Sequence, residues 1–173
     1  MTSPTADSPW RRSDKFDPAS RVIADRHYNR QKPGTPQFVR PAKSLVLRSS
    51  DGGALWVSIW PKFAQHAWRG AWECQVFRRE HGEMVASEMI RHAVAHTCDD
   101  FGTPPALGMV TFIDPEEVAS PNPGYCFLRA GFGRVGLTKE RKRVVLQLLP
   151  ADMPEPSRVP SDQYAFAFGE PHD

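Results

Sequence analysis

Apolar residues recur along this chain in two rhythms, and the points where the rhythm changes divide it into elements. Asp17-Pro18 opens a helix, because Asp accepts from the free amides of a first turn and Pro suits the first helical position. Ala19, Val22, Ile23, Arg26 and His27 follow at spacings of three and four. That turns His27 inward with Ala19 and Ile23 and sets Tyr28 about 100° further round. Pro33 closes this helix by Lys32 at the latest. A period of two takes over in SLVLRS (44–49) and ALWVSIW (54–60), joined across Asp51-Gly52-Gly53, a hairpin turn in which glycine takes positive φ at little cost. Leu55, Val57 and Ile59 share one face of the second strand, and Trp56, Ser58 and Trp60 the other, so both faces need cover. Pro61 ends it, and AWECQVFR (71–78) reads as a third strand.

Helical spacing returns in Val85, Met89, Ile90, Ala93, Val94, Thr97, Cys98 and Phe101, and stops at Gly102 and Pro104-Pro105. LGMVTFI (107–113) is apolar nearly throughout, as a buried parallel strand is. NPGYCFLRAG (122–131) reads as a short helix closed by Gly131, and FGRVGLT (132–138) with RVVLQLL (143–149) as a last hairpin. This order predicts an α/β (α+β) fold, a mixed central sheet with helices on both faces. One strand–helix–strand crossover, 71–113, is expected to be right-handed. Residues 17–149 form the expected single domain. Residues 1–16, rich in Ser, Pro and Asp around an isolated Trp10, are expected to be a flexible arm, and 150–173, with five prolines, a flexible acidic tail.

Charge changes this picture. The net +2 conceals two basic segments. Residues 20–50 carry seven Lys/Arg against Asp25, and 129–143 carry six against Glu140, while 151–173 carries five acids against Arg158. Two basic segments can form one patch for a polyanion or remain scattered solvated charge. No apolar run reaches 18 residues, so no membrane span is expected. MTSPTADSPWRRSD lacks a signal-peptide core and Cys74, Cys98 and Cys126 are widely spaced, which together suggest the cytoplasm. His92 and His96 have a metal-compatible spacing, but HAVAH lacks the Glu of HExxH and no third ligand is evident. Cys126 has no His near it in sequence and reads as a small buried thiol.

The element order, together with CFLRAGFGRVG (126–136), resembles the GNAT acyltransferase fold, in which a short helix ending in Gly-Phe precedes the last two strands. RHYN (26–29), TFID (111–114), NPGYCFLRAGF (122–132) and GLTK (136–139) are similar to the Mom-type DNA-modification proteins of bacteriophages and their actinobacterial relatives. The resemblance implies a transferase that modifies a nucleobase in DNA, adenine above all, with DNA as partner. His27 and Tyr28 would then offer a proton acceptor and a hydroxyl, and Asp114, at the carboxyl edge of a parallel strand, would orient the base or hold a metal. Arg26 and Arg30, four apart, could share a phosphate, with Ser58 and Lys139 as further DNA contacts. Other readings of the same residues stay open: a core histidine, a surface arginine, an Asp-Pro turn, and a packed Ser58.

A donor such as acetyl-CoA or a related acyl compound would sit, by the same resemblance, at the turn 79–85 with Arg79, Gly82 and Val85, and with Tyr125 on the short helix. Here Arg79-Glu80-His81-Gly82-Glu83-Met84 matches two anchors of the family pattern Arg-x-x-Gly-x-Gly/Ala and misses the third. Glu80 and Glu83 are unfavourable beside phosphate, and Met84 can obstruct close backbone approach. Phe127 stands where the family often carries a Tyr acid; Tyr125 lies about 200° round the helix from it. An ordinary acetyl-CoA-dependent N-acetyltransferase acting on a small amine or protein is therefore an alternative. So is a non-catalytic DNA-binding module on a decayed transferase fold.

Overall fold

The structure is a computed structural model in which residues 7–28, 30, 32–64, 66–118 and 121–161 are described. It is a mixed α+β fold. Strand β1 (Trp10–Arg12) precedes helix α1 (Pro18–Asp25), the meander β2 (Lys43–Ser49), β3 (Ala54–Trp60) and β4 (Trp72–Arg79), and then helix α2 (Ala86–Phe101). Strand β5 (Met109–Ile113), the short helix α3 (Tyr125–Arg129) and the hairpin β6 (Gly133–Leu137) and β7 (Val144–Leu148) complete it. The seven strands form one sheet in the order β1-β2-β3-β4-β5-β7-β6. Every neighbouring pair is antiparallel except β4–β5, which the α2 crossover makes parallel. Among the described residues no helix is long and apolar enough to cross a membrane.

Both faces of the sheet are covered, as the doubly apolar β3 requires. Ile23 and Ala24 of α1 pack with Val46, Leu55, Val57, Ile59 and Val76 on one face. On the other, Ile90, Ala93 and Val94 of α2 join Trp56, Trp72, Met109 and Leu146, with Phe127 of α3 in the same core.

Three expectations from sequence need correction. Helix α1 ends at Asp25, inside the limit that Pro33 sets, with Arg26 as its C-cap, so His27 and Arg30 lie beyond the helix. Its inward face is Ser20, Ile23 and Ala24, while Val22 is 48% exposed. The face is rotated because Ser20 is a buried residue with partners: its hydroxyl lies 2.7 Å from that of Ser13 and donates to Asp17. Second, the described part of the N-terminal arm contains β1, which pairs with the edge of β2. Trp10 is fully buried and its indole N–H donates to the Met89 carbonyl at 2.8 Å, so both its area and its polar atom are satisfied against α2. Third, the described part of the tail forms a short 3-10 turn (Pro150–Asp152) and buries Met153 and Val159 in the α2-side core. Residues 1–6 and 162–173 of the expected arm and tail lie outside the described residues.

One side chain ties both terminal segments to α2. His96 is fully buried; its Nδ1 lies 2.6 Å from the Ser157 carbonyl and its Nε2 lies 2.7 Å from the Ser8 hydroxyl. A carbonyl only accepts, so Nδ1 carries the proton and Nε2 accepts from Ser8. Burial lowers the pKa of His96, and of the adjacent His92, below the ordinary value of 6.5. The fold thus holds both rings neutral, whereas the unfolded chain takes up protons as pH falls through about 6.5. Stability is fully present above that pH and declines below it. Thermal melts should show a lower midpoint at pH 5.5 than at pH 7.5, and His96→Gln, which keeps a donor and an acceptor, should flatten that slope. An unchanged slope in the variant would contradict the role given to His96.

Candidate functional site

The site begins with one extra residue in β4. Val57 pairs with Val76, but its neighbour Ser58 pairs with Cys74, so the β3–β4 register skips Gln75, which forms a bulge. A bulge bends its strand, and β4 leaves β5 at this point. The two are paired only at Trp72–Met109 and Glu73–Val110. Beyond that pair the sheet opens. Gln75 accepts from the Arg40 amide at 3.1 Å and donates to the Phe38 carbonyl at 3.0 Å, fixing the loop after α1 as a wall of the opening. Tyr28 fills its mouth, and its hydroxyl donates at 3.0 Å to the carbonyl of Phe112, a β5 residue with no β4 partner.

Tyr28, Gln75 and Phe112 line two cavities. The larger, about 620 Å³, is ringed by Arg30, Lys32, Arg40, Arg141 and Arg143, with Glu73 and Cys74 among its lining residues. The smaller, about 140 Å³, is lined by His27, Phe77, Ile113, Cys126 and Phe127. Glu73 is 5% exposed and receives the Arg40 guanidinium at 2.8 and 3.3 Å. Burial raises its pKa against the pull of Arg40 and Arg143. Burial likewise raises that of Tyr28, which remains a phenol able to donate. The His27 ring stacks on Tyr28 with centroids 4.4 Å apart. Cys126 sits close by, and burial raises its pKa, which favours the thiol over the thiolate.

The structure brings His27 and Tyr28 together and disperses most other residues singled out from sequence. Because α1 ends early, Arg26 and Arg30 do not share a helix face and take different partners. Arg26 forms a two-pronged pair with Glu80, and Arg30 binds Asp25 at 2.7 Å, the Thr35 carbonyl at 2.7 Å and the Gln37 carbonyl at 3.0 Å. Arg30 therefore ties down the loop whose edge it lends to the cavity. Asp114 caps the turn after β5 by accepting from the Glu116 amide at 3.0 Å; the Asp114 backbone, not its carboxylate, hydrogen-bonds the Tyr28 hydroxyl. Ser58 is fully buried on the α2 side, its hydroxyl 2.8 Å from that of Thr97, and it lines neither cavity. Lys139 is exposed in the β6–β7 turn and lines neither cavity; Arg141 and Arg143 of the same turn line the larger one. Tyr125 is 56% exposed and lines neither. Asn29 lies outside the described residues.

Glu73, Gln75 and Arg40 are the residues that sequence reading passed over. The signal was present in WECQVF, where an acid and an amide interrupt an apolar central strand. A buried polar group needs a reason, and here the reason is the opening.

The residues of the turn 79–85 do not fit coenzyme A. Arg79 folds back on the turn and donates to the Gly82 carbonyl at 2.7 Å and the Met84 carbonyl at 3.1 Å. Glu80, its pKa pulled down to about 2 by Arg26 and Arg78, keeps a full negative charge there. A Cβ on Gly53 would meet the His81 carbonyl at 2.3 Å, so the turn is pressed against the β2–β3 hairpin. Neither cavity includes a residue of 79–85, and Val85 stands exposed ahead of α2. Met84, expected to obstruct the turn, packs against the core instead. Phe127 packs edge-on to Phe77 and Phe132, with no hydroxyl to offer. Among the described residues no group of three His, Cys, Asp or Glu is placed to hold a metal. Comparison with protein-family models, curated proteins and solved structures gives no significant match.

The Glu73–Arg40 pair makes a quantitative expectation. Removing one partner of a fully buried pair costs about 3–5 kcal/mol. Arg40 is half in solvent, so Arg40→Met should cost about 1–3 kcal/mol at pH 8. In that variant the folded pKa of Glu73 rises further above its unfolded value, so the cost should shrink as pH falls from 8 to 5 and Glu73 takes a proton. Glu73→Gln added to Arg40→Met should remove the pH dependence. Denaturant titrations showing a pH-independent cost would contradict the pairing.

Proposed function

We propose that this chain is a GNAT-fold transferase that modifies a nucleobase in DNA, with adenine as the base, in the manner of Mom-type proteins. Three features support the fold part of this reading: a single parallel pair at the centre of an otherwise antiparallel sheet, the last hairpin inserted as β7 beside β5, and the β4 bulge that opens the central pair. The observation that carries the functional part is the cationic cavity at that opening, with a buried carboxylate and a phenol on its walls.

The residues divide the work by chemistry. Arg141, Arg143 and Lys32 supply charge for the phosphates on either side of an extruded nucleotide. Arg40 is committed to Glu73 and sets its orientation. Glu73 is the group that takes the proton from the exocyclic amine as the nitrogen bonds to the transferred carbon of an activated acyl-type donor. That carbon's bond to its leaving group breaks, the leaving group departing with the electron pair. The raised pKa of Glu73 brings it towards the range in which a carboxylate is an effective base. Tyr28 donates a hydrogen bond at the boundary of the two cavities, and His27 stacks behind it. Glu73 thus takes the carboxylate role that the sequence suggested for Asp114. The donor reaches the site by some route other than a coenzyme A turn at 79–85.

Nucleosides from the DNA of cells expressing the protein should include a mass-shifted deoxyadenosine. Glu73→Gln and Tyr28→Phe should each reduce it by about 10²-fold or more, the usual weight of a positioned acid or base. Unaltered DNA from cells rich in soluble protein would contradict the proposal. Acetylation of a free amine at the expense of acetyl-CoA, with DNA unaltered, would put the ordinary acetyltransferase in its place.

A further inference from the structure

Beside the cationic cavity, on the same face of the sheet, Val110 and Val145 form a small apolar cluster with Ala71. Its cover is aromatic. Trp68 and Phe112 pack on it, and the His66 ring joins them, with centroids 5.1 Å apart for His66–Phe112 and 6.3 Å for both Trp68–Phe112 and Trp68–His66. The rings of His66 and Trp68 stand at 60° and 68° to Phe112, so their faces point in different directions instead of stacking on one another. Trp68 lies over β6 at Gly136, where a Cβ would come within 3.7 Å of its ring.

Two buried donors next to these rings have no acceptor among the described residues. His66 Nδ1 accepts from the Trp68 amide at 3.1 Å, which leaves the proton of the neutral ring on Nε2. Burial, and the charge of Arg40, keep that ring neutral by lowering its pKa. His66 Nε2 and Arg143 Nε are both buried without a partner among the described residues. Unpaired buried donors are costly, and acceptors from a ligand would relieve them.

Half-buried rings and a rim of arginines are the ingredients of a single-strand site, where bases stack on side chains and phosphates track charge. A duplex keeps its base faces stacked on one another and has none to offer these rings. We propose that the His66–Trp68–Phe112 face, bordered by Arg40, Arg141 and Arg143, binds single-stranded DNA and feeds one nucleotide into the cavity. The proposal rests on the reading of DNA as substrate and specifies the form in which the DNA arrives.

Fluorescence anisotropy with a labelled 12-residue single strand, the same sequence as a duplex, and heparin as competitor tests it on the full-length protein. The single strand should bind at least about 10-fold tighter than the duplex and outlast heparin. Trp68→Ala should weaken binding by about 5- to 100-fold, the range for loss of one stacked base, without changing the salt dependence. Trp68→Phe, which keeps a ring and safeguards folding, should restore most of it. Arg143→Ala should instead flatten the plot of log affinity against log salt by about 0.7, one phosphate contact of a single strand. Equal affinity for duplex, displacement by heparin at equal charge, or wild-type binding by Trp68→Ala would overturn the proposal. Single-strand binding with no modified nucleoside sinks the transferase and sustains this inference; modified adenine with no preference for single strands does the reverse.

Discussion

One extra residue bends a strand and breaks its ladder locally, and β4 parts from β5 where it carries such a residue. Gln75 is that residue in β4, and the consequences follow from it in order. The strand stays paired with β3 but loses β5 after Glu73–Val110. The gap admits Tyr28, whose hydroxyl takes a carbonyl of β5 that no β4 amide reaches. The side chain of Gln75 then holds the backbone at Phe38 and Arg40, which gives the opening its outer wall and delivers the Arg40 guanidinium to Glu73. One insertion thus sets the geometry of the cavity, its electrostatics and its outer wall.

Electrostatics and burial pull against each other at Glu73. An unpaired carboxylate at this depth would cost several kcal/mol, while a hydrophobic residue in its place would lose the polar floor of the cavity. Arg40 resolves this with a two-pronged contact while remaining half in solvent, so the pair is neither fully buried nor fully screened. The outcome is a carboxylate whose proton affinity is raised but which keeps a cation at hand. The same loop contains Arg30, which is spent on Asp25 and on carbonyls of the loop. The arginines that follow α1 therefore serve different purposes: Arg26 ties the helix end to Glu80, Arg30 builds the wall, and Arg40 faces the site.

Much of this was legible in the alternation of apolar and polar residues. The meander, the long helix, the crossover strand and the last hairpin stand where the rhythm places them, because each is long enough for its period to dominate. The termini were not legible: Trp10 and Met153 are single apolar residues in polar surroundings, and only the tertiary fold shows that α2 has room for them. The end of α1 was overestimated because the spacing through Arg26 and His27 continues a helical pattern that the C-cap at Arg26 breaks. At the site, His27 and Tyr28 were visible as chemistry-bearing neighbours, whereas Glu73 was hidden inside a strand read for its apolar content. Bulges leave no periodic trace in one sequence, so the residue that organises the site was the hardest to find.

The proposed function puts a nucleotide at the opening between β4 and β5. Photo-crosslinking with a short single strand carrying 8-azidoadenine, followed by peptide mapping, measures this directly. The predicted adducts lie on Tyr28, Trp68 and Phe112, at the opening between β4 and β5. Adducts confined to the turn 79–85 or to the α2 face of the sheet would contradict it.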